Sequence, residues 1–98
     1  MHLTDKVEQE ILEKSRAHAK TAGLALNSES KLLEMVIKAL AANQKLHGKP
    51  YCPCRALTGE SVQDTQIICP CSYHWDEVKK DGHCKCRLFF AKEKQAKP

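Results

Sequence analysis

Apolar residues near the start of the chain recur at the spacing of an α-helix. Leu3, Val7 and Ile11 follow one another every four residues, so they share one face of a helix. Thr4 precedes most of this run and can act as its N-cap, whereas Gly23 supplies the left-handed conformation on which helices commonly end. The pattern therefore predicts a first helix that starts near Thr4 and ends at Gly23.

A second apolar stripe predicts a second helix. Its members are Leu32, Leu33, Val36, Ile37 and Leu40. We expect Asn27 or Ser28 to cap this helix and Leu46 to extend its apolar face. Gly48, followed by Pro50, then ends the helix. We interpret the stripe as a core-packing face rather than as a surface that binds a partner.

The chain changes character after Gly48. Residues 1–48 contain no cysteine and form the predicted two-helix half, whereas all six cysteines lie in residues 49–91. Residues 92–98 carry three lysines and are predicted to form a frayed basic tail. Both halves belong to one predicted domain, because a chain of 98 residues is too short for two independent cores.

The cysteine-bearing half offers only short periodic segments. A short helix fits within residues 60–68, and another fits within residues 72–80. Asp81 and Gly82 then signal a turn. Residues 87–90 are predicted to be a short extended or helical end that packs its apolar side chains on the core.

Composition and charge exclude several classes of protein. Hydrophobic residues make up 42% of the chain and charged residues 29%, which excludes a membrane protein and a fully disordered chain. The net charge of +4 comes from basic residues spread along the chain, whereas a nucleic-acid-binding protein usually clusters them. A modest positive surface of this kind favours an acidic protein partner.

The expected compartment affects how the six cysteines are interpreted. The N-terminus lacks the apolar segment of a signal peptide, and no apolar stretch approaches the length of a membrane span. We therefore expect a cytoplasmic protein that binds neither membrane nor nucleic acid. In a reducing cytosol, six cysteines indicate metal binding or catalysis more than structural disulfides.

Every cysteine belongs to a pair with one residue between its members. The pairs are Cys52-Pro53-Cys54, Cys69-Pro70-Cys71 and Cys84-Lys85-Cys86. In extended backbone, residues two apart point to the same side. A proline between two cysteines has a fixed φ and keeps the preceding cysteine extended. Each Cys-Pro-Cys segment therefore directs two sulfurs at one object.

Three arrangements compete for these six cysteines. Structural zinc sites use thiolates that are mostly separated by two to four residues within a pair, which this spacing does not match. A framework of three disulfides needs an oxidising compartment, which nothing in the sequence indicates. An iron–sulfur cubane needs four thiolates and leaves two cysteines, which is the number that one redox-active disulfide requires.

A function that uses only four cysteines is the main alternative. A non-enzymatic iron–sulfur electron carrier or a structural zinc-binding module would need four ligands and no more. Two of the six cysteines would then have no role. Iron content and a count of free thiols distinguish these functions from that of a disulfide reductase.

The order of the three pairs resembles that in the catalytic β subunit of ferredoxin–thioredoxin reductase. The resemblance covers residues 45–91. Its motifs here are Cys52-Pro53-Cys54-Arg55, Cys69-Pro70-Cys71, and Cys84-Lys85-Cys86 with Leu88-Phe89-Phe90 after it. The resemblance implies a small, mainly α domain whose helices and loops wrap around a [4Fe–4S] cluster.

The resemblance also implies a role for each cysteine. The implied cluster ligands are Cys52, Cys69, Cys71 and Cys84. Cys54 and Cys86 would form the redox-active disulfide, with Cys54 as the nucleophile that attacks the target. In this family a ferredoxin-like donor passes electrons one at a time through the cluster to the disulfide, which then reduces a thioredoxin-like protein. The chain would pair with a small second subunit or with a second copy of itself.

The sequence departs from the family pattern at one residue close to this chemistry. Lys85 stands where the family has a histidine that is thought to assist proton transfer. His83 and His74 are the nearby histidines that could replace it. Lys85 and Arg55 are candidates for stabilising a thiolate by their charge. Because of this lysine and of different intervals between the pairs, the chain resembles stand-alone archaeal and bacterial relatives more than the plant subunit.

Overall fold

A computed structural model describes residue 3, residues 5–55 and residues 57–92. In chain order, its elements are α1 (Lys6–Ala22), β1 (Leu24–Leu26), α2 (Ser30–His47), α3 (Ser61–Thr65), α4 (His74–Asp81) and β2 (Phe89–Ala91). The described part of the chain is therefore mainly α, as the resemblance implied. It contains no helix that is long and apolar enough to cross a membrane.

The N-cap of helix α1 is Asp5, which lies one residue later in the chain than the predicted cap. The Asp5 side chain accepts hydrogen bonds from the backbone N–H groups of Val7 and Glu8, at 2.7 and 3.4 Å. Asp5 is thus the N-cap, and it satisfies two of the N–H groups that a helix start leaves without partners. The predicted cap, Thr4, lies outside the described residues. Gly23 ends the helix with a φ of 74°, which confirms that prediction.

Helix α2 ends where predicted, but its first turn is capped by a different residue. Its N-cap is Glu29 rather than Asn27 or Ser28. The Asn27 side chain instead accepts a hydrogen bond from the Glu29 N–H at 2.8 Å, so it shapes the turn that leads into the cap. Gly48 ends the helix with a φ of 83°, as predicted.

The predicted contribution of Leu46 to the apolar face of α2 is wrong. The buried residues of this helix are Leu33, Ile37, Leu40 and Ala41, whereas Leu46 is 76% exposed. A helix advances by about 100° per residue, so a position six residues after Leu40 faces away from the stripe.

A two-stranded antiparallel sheet, which the sequence did not predict, joins the two halves. Strand β1 pairs with β2 so that Leu24 lies opposite Ala91 and Leu26 lies opposite Phe89. Of the apolar end predicted at residues 87–90, Phe89 and Phe90 are therefore extended, whereas Arg87 and Leu88 precede the strand. Of the predicted basic tail, residues 93–98 lie outside the described residues.

One core links the helical half to the cysteine-bearing half. Its largest fully buried apolar side chains are Ile37, Leu40, Leu88 and Phe89. The first two come from α2, and the last two follow the third cysteine pair. The short helices predicted within residues 60–68 and 72–80 are confirmed as α3 and α4. The fold thus places the cysteine pairs against the apolar stripe of α2.

Candidate functional site

The first two cysteine pairs lie side by side because their flanking residues are hydrogen-bonded. Tyr51 and Ile68 form an isolated antiparallel bridge. Beside it, the Cys52 N–H donates to the Ile67 carbonyl at 2.7 Å, and the Cys69 N–H donates to the Pro50 carbonyl at 3.0 Å. These bonds bring residues about seventeen positions apart into one place.

The third pair is held by a tight turn. The Cys84 N–H donates to the Phe89 carbonyl at 3.0 Å, and the Arg87 N–H donates back to the Cys84 carbonyl at 2.8 Å. The Phe89 N–H also donates to the Cys84 sulfur at 3.5 Å. Arg87 adopts a left-handed backbone with a φ of 61°, which lets the chain reverse directly after the pair.

Five of the six cysteines line one narrow, largely apolar cavity. They are Cys52, Cys69, Cys71, Cys84 and Cys86. The rest of the wall is apolar apart from His74, and it includes Leu40 of α2 and Phe89 of β2. The cavity contains about 260 Å³ that protein atoms do not fill, part of it open to solvent. The second and third pairs thus converge with Cys52. The prediction that each Cys-Pro-Cys segment directs both of its sulfurs at one object is wrong for the first pair, because Cys54 does not line this cavity.

The thiols in this cavity perturb one another. A hydrogen bond with Cys71 lowers the pKa of Cys52, but a hydrogen bond with Cys86 and burial outweigh it and raise the pKa to about 11. Burial, followed by the charges of the neighbouring cysteines, raises the pKa of Cys69. The hydrogen bond with Cys52, followed by burial, raises the pKa of Cys71. Without a bound cation these thiols stay protonated, so a positively charged group is what would convert them to thiolates.

The donor set of the cavity fits an iron–sulfur cluster. Such a cluster takes four cysteine thiolates, and the cavity offers five sulfurs within an apolar wall. All six cysteines are free in the structure. The fit concerns the number and type of the donors: among the described residues, no three His, Cys, Asp or Glu side chains are placed as a group that could hold a metal ion.

Cys54 is separated from the other five cysteines. It is exposed and lines an open groove on the outer surface instead of the cavity. Arg55, Tyr73 and Lys85 line the same groove. Cys86 is buried, and its side chain hydrogen-bonds with that of Cys52. One member of the predicted redox pair is therefore open to a partner and the other faces the cavity.

The two cations that the sequence singled out both lie at the groove. The Arg55 guanidinium lies 4.5 Å from the centre of the Tyr73 ring and forms an ion pair with Glu77. The second carboxylate oxygen of Glu77 accepts the Lys85 backbone N–H at 3.0 Å. Burial alone would raise the pKa of Glu77, but these hydrogen bonds and the two positive charges outweigh burial and lower this pKa. Glu77 carries no motif in the sequence that marks it for this position.

The two candidate histidines lie in different surroundings. His74 is 2% exposed and lines the cysteine cavity. The His83 ring is half-buried, lies beside the Phe90 ring and directs Nδ1 at the Cys84 carbonyl, 2.8 Å away. It lines neither the cavity nor the groove.

Both ring nitrogens of His74 have partners. Its Nδ1 lies against the Cys71 carbonyl, which can only accept, so this nitrogen carries a proton and donates it. The Nε2 of His74 then accepts from the Nε2 of His18, 2.9 Å away, when both rings are neutral. His18, which carries no signal in the sequence, thus fixes the orientation of His74, the one histidine among the described residues that lines the cavity.

Comparison with known proteins identifies one family. The family model described as ferredoxin thioredoxin reductase catalytic beta chain matches residues 3–98. A search of curated proteins found no match to the chain. The family match covers nearly the whole sequence, including both the helical half and all three cysteine pairs.

Proposed function

Because the chain belongs to the family of ferredoxin thioredoxin reductase catalytic beta chains, we propose that it is a ferredoxin-dependent disulfide reductase. One observation supports this function over that of a simple electron carrier. Five cysteines share a buried cavity while the sixth, Cys54, is exposed at a groove. A carrier needs four buried ligands and has no use for an exposed thiol beside them.

Four of the cysteines that line the cavity would provide the ligands. Cys52, Cys69, Cys71 and Cys84 would hold a [4Fe–4S] cluster, and the raised pKa values of the first three mean that these thiols would have to give up their protons to bind it. When bound, the cluster supplies electrons one at a time from a ferredoxin-like donor. The Phe89 N–H, which points at the Cys84 sulfur, would stabilise the negative charge of that ligand.

The remaining two cysteines would reduce the target by thiol–disulfide exchange. The Cys54 thiolate attacks one sulfur of a disulfide in a thioredoxin-like protein, which forms a mixed disulfide and releases one target thiolate. The Cys86 thiolate then attacks the Cys54 sulfur and releases the second target thiolate. The two target thiolates take up two protons, equal in number to those that Cys54 and Cys86 gave up on becoming thiolates. The product is a Cys54–Cys86 disulfide, and two electrons and two protons return it to the dithiol.

The groove supports the assignment of Cys54 as the attacking residue. A thiolate reacts only where a target sulfur can reach it, and Cys54 is the exposed cysteine. The Lys85 side chain lines the same groove and can stabilise negative charge there. Lys85 thus supplies a charge where the family has a histidine, while His74 and His83 have both been engaged by other contacts.

A trapping experiment tests this function. In Cys86→Ser the resolving thiol is gone, so Cys54 should attack a thioredoxin-like disulfide and stay bound as a mixed disulfide that a non-reducing gel resolves. The matched variant Cys54→Ser should form no such adduct. An adduct on Cys54→Ser, or none on Cys86→Ser, would contradict the assignment. Stoichiometric zinc without iron in the purified protein would favour the zinc-binding alternative.

A further inference from the structure

Cys54 and Cys86 lie in two separate turns that make no regular secondary structure. The first turn is closed by the Arg55 N–H, which donates to the Cys52 carbonyl at 3.2 Å. The second is closed by the Arg87 N–H, which donates to the Cys84 carbonyl at 2.8 Å. Each of these bonds fixes one turn locally and leaves the position of one turn relative to the other undetermined.

Besides the contact between the Cys52 and Cys86 side chains, the carboxylate of Glu77 connects the two turns. One oxygen of Glu77 accepts the Lys85 backbone N–H at 3.0 Å, and the other forms the ion pair with the Arg55 guanidinium. Arg55 directly follows Cys54, and Lys85 directly precedes Cys86. Glu77 therefore contacts the neighbour of each cysteine in the proposed redox pair.

Glu77 is itself held on a rigid support. It belongs to α4, which is anchored in the core by His74 and Val78, at 2% and 6% exposure. The side chains of Glu77 and Arg55 are only 23% and 19% exposed, so solvent competes weakly for their contact. The Tyr73 ring, just before α4, supports the guanidinium from one face.

We propose that Glu77 is a positioning residue that fixes the turn of Cys54 relative to the turn of Cys86 and thereby stabilises the disulfide between them. This inference rests on the proposed function, since it assumes that these two cysteines form a redox couple. Fixing both turns raises the effective concentration of one thiol at the other. Because the Lys85 contact uses the backbone N–H, it does not depend on the side chain at that position.

The equilibrium between dithiol and disulfide measures this effect. Protein purified without oxygen is equilibrated with mixtures of reduced and oxidised dithiothreitol, which exchange two electrons and two protons with the couple. Alkylation and peptide mass analysis then give the reduced fraction of Cys54 and Cys86. Glu77→Ala should lower the effective concentration about tenfold, which makes the potential about 30 mV less negative.

Two further variants make the experiment specific. Glu77→Gln keeps an oxygen for the Lys85 N–H but presents an NH₂ group to Arg55, so its shift should be smaller than that of Glu77→Ala. Asp76→Ala removes the same charge from the exposed neighbouring position of α4 and should leave the potential unchanged. If Glu77→Ala does not fold, the potential of Glu77→Gln tests the role of Glu77, since glutamine conserves the size of the side chain and one hydrogen-bond acceptor.

The results separate the two proposals. Suppose that Cys54 and Cys86 form a redox couple in the unchanged protein, but that the potential of this couple is the same in Glu77→Ala and Glu77→Gln. That result overturns the role of Glu77 and does not affect the proposed function. An equal shift in Asp76→Ala also overturns it, because loss of charge alone would then suffice. If Cys54 and Cys86 do not oxidise together in the unchanged protein, both proposals fail.

Discussion

The two halves of this small protein are held together by different interactions. Residues 5–48 form two long helices that end on left-handed glycines and bury an apolar stripe. Residues 49–92 contain helices of only five and eight residues, and much of their backbone lies in turns. The helical half is therefore stabilised by burial and regular hydrogen bonding, whereas the cysteine half depends on individual polar contacts and on its thiols.

This difference shows where function constrains the fold. A short irregular chain can direct several sulfurs inward because it is free of the periodicity of a helix. Because such a chain lacks regular secondary structure, it also forms few hydrogen bonds within its own backbone. Buried or partly buried carboxylates such as Asp64 and Glu77 compensate by accepting backbone N–H groups from loops. Variants in each half should therefore fail for different reasons.

The largest effect is expected in the apolar core of the helical half. Ile37 is fully buried, so Ile37→Ala should lower the free energy of unfolding by about 2–5 kcal/mol. Leu46→Ala on the same helix is the matched control, since Leu46 is 76% exposed, and it should change stability by less than about 0.5 kcal/mol. Denaturant unfolding measures both. Equal losses would mean that burial does not distinguish the two faces of α2.

The next effect concerns the junction between the halves. The buried Asn27 side chain donates to the Arg87 carbonyl at 2.9 Å and accepts from the Glu29 N–H. Asn27→Ala leaves both groups without their partner and should cost about 1–3 kcal/mol in the same unfolding experiment. Asn27→Asp keeps the acceptor for Glu29 but loses the donor to Arg87. If Asn27→Asp is as stable as the unchanged protein, the bond to Arg87 does not hold the junction.

A pH effect is expected at a loop of the cysteine half. Asp64 accepts the Thr58 and Gly59 N–H groups and the Thr58 hydroxyl. The Thr58 backbone bond, opposed by burial, is the main reason that the pKa of Asp64 is lowered. A lowered pKa in the folded state contributes stability above about pH 4, and this contribution is lost as the pH falls from there toward the folded-state pKa.

The measurement is the melting temperature of the unchanged protein and of Asp64→Asn across this acidic range. The unchanged protein should lose its advantage over Asp64→Asn as Asp64 becomes protonated. A difference between the two proteins that stays constant with pH would show that the charge of Asp64 does not stabilise the loop.

The smallest effect is expected at the strained turn after the third pair. Arg87 has a φ of 61°, which costs a residue with a Cβ more than it costs glycine. Arg87→Gly should therefore be about 0.5–1 kcal/mol more stable than Arg87→Ala, after allowing for the greater freedom of glycine in the unfolded chain. Thermal unfolding of the two variants tests this. A more stable alanine variant would mean that the turn is not left-handed in solution.

Short-range patterns in the sequence predicted the helices, but they did not predict contacts between residues that are far apart in the chain. The ends of α1 and α2 could be placed because Gly23 and Gly48 mark them directly in the sequence. Strand β1 was missed because three residues are too few for an alternating pattern to show. Its pairing with β2, more than sixty residues away, depends on the tertiary fold.

The same distinction applies to the site. Regular pairs of cysteines with prolines between them predicted that sulfurs would converge, and five of them line one cavity. Glu77 and His18 have no such signal, because a lone glutamate or histidine on a helix is usually a surface residue. Their partners, Arg55 and His74, lie 22 and 56 positions away in the chain. Only the folded structure brings them together.

The central claim is that the two cysteines of the first pair have different roles, with Cys52 as a ligand and Cys54 as the nucleophile. The most direct test is the iron and acid-labile sulfide content, with the visible spectrum, of Cys52→Ser and Cys54→Ser purified without oxygen. The unchanged protein should contain about four irons and four sulfides per chain. Cys54→Ser should keep both and stay brown, whereas Cys52→Ser should lose them. Loss of iron from Cys54→Ser together with its retention in Cys52→Ser would contradict the account.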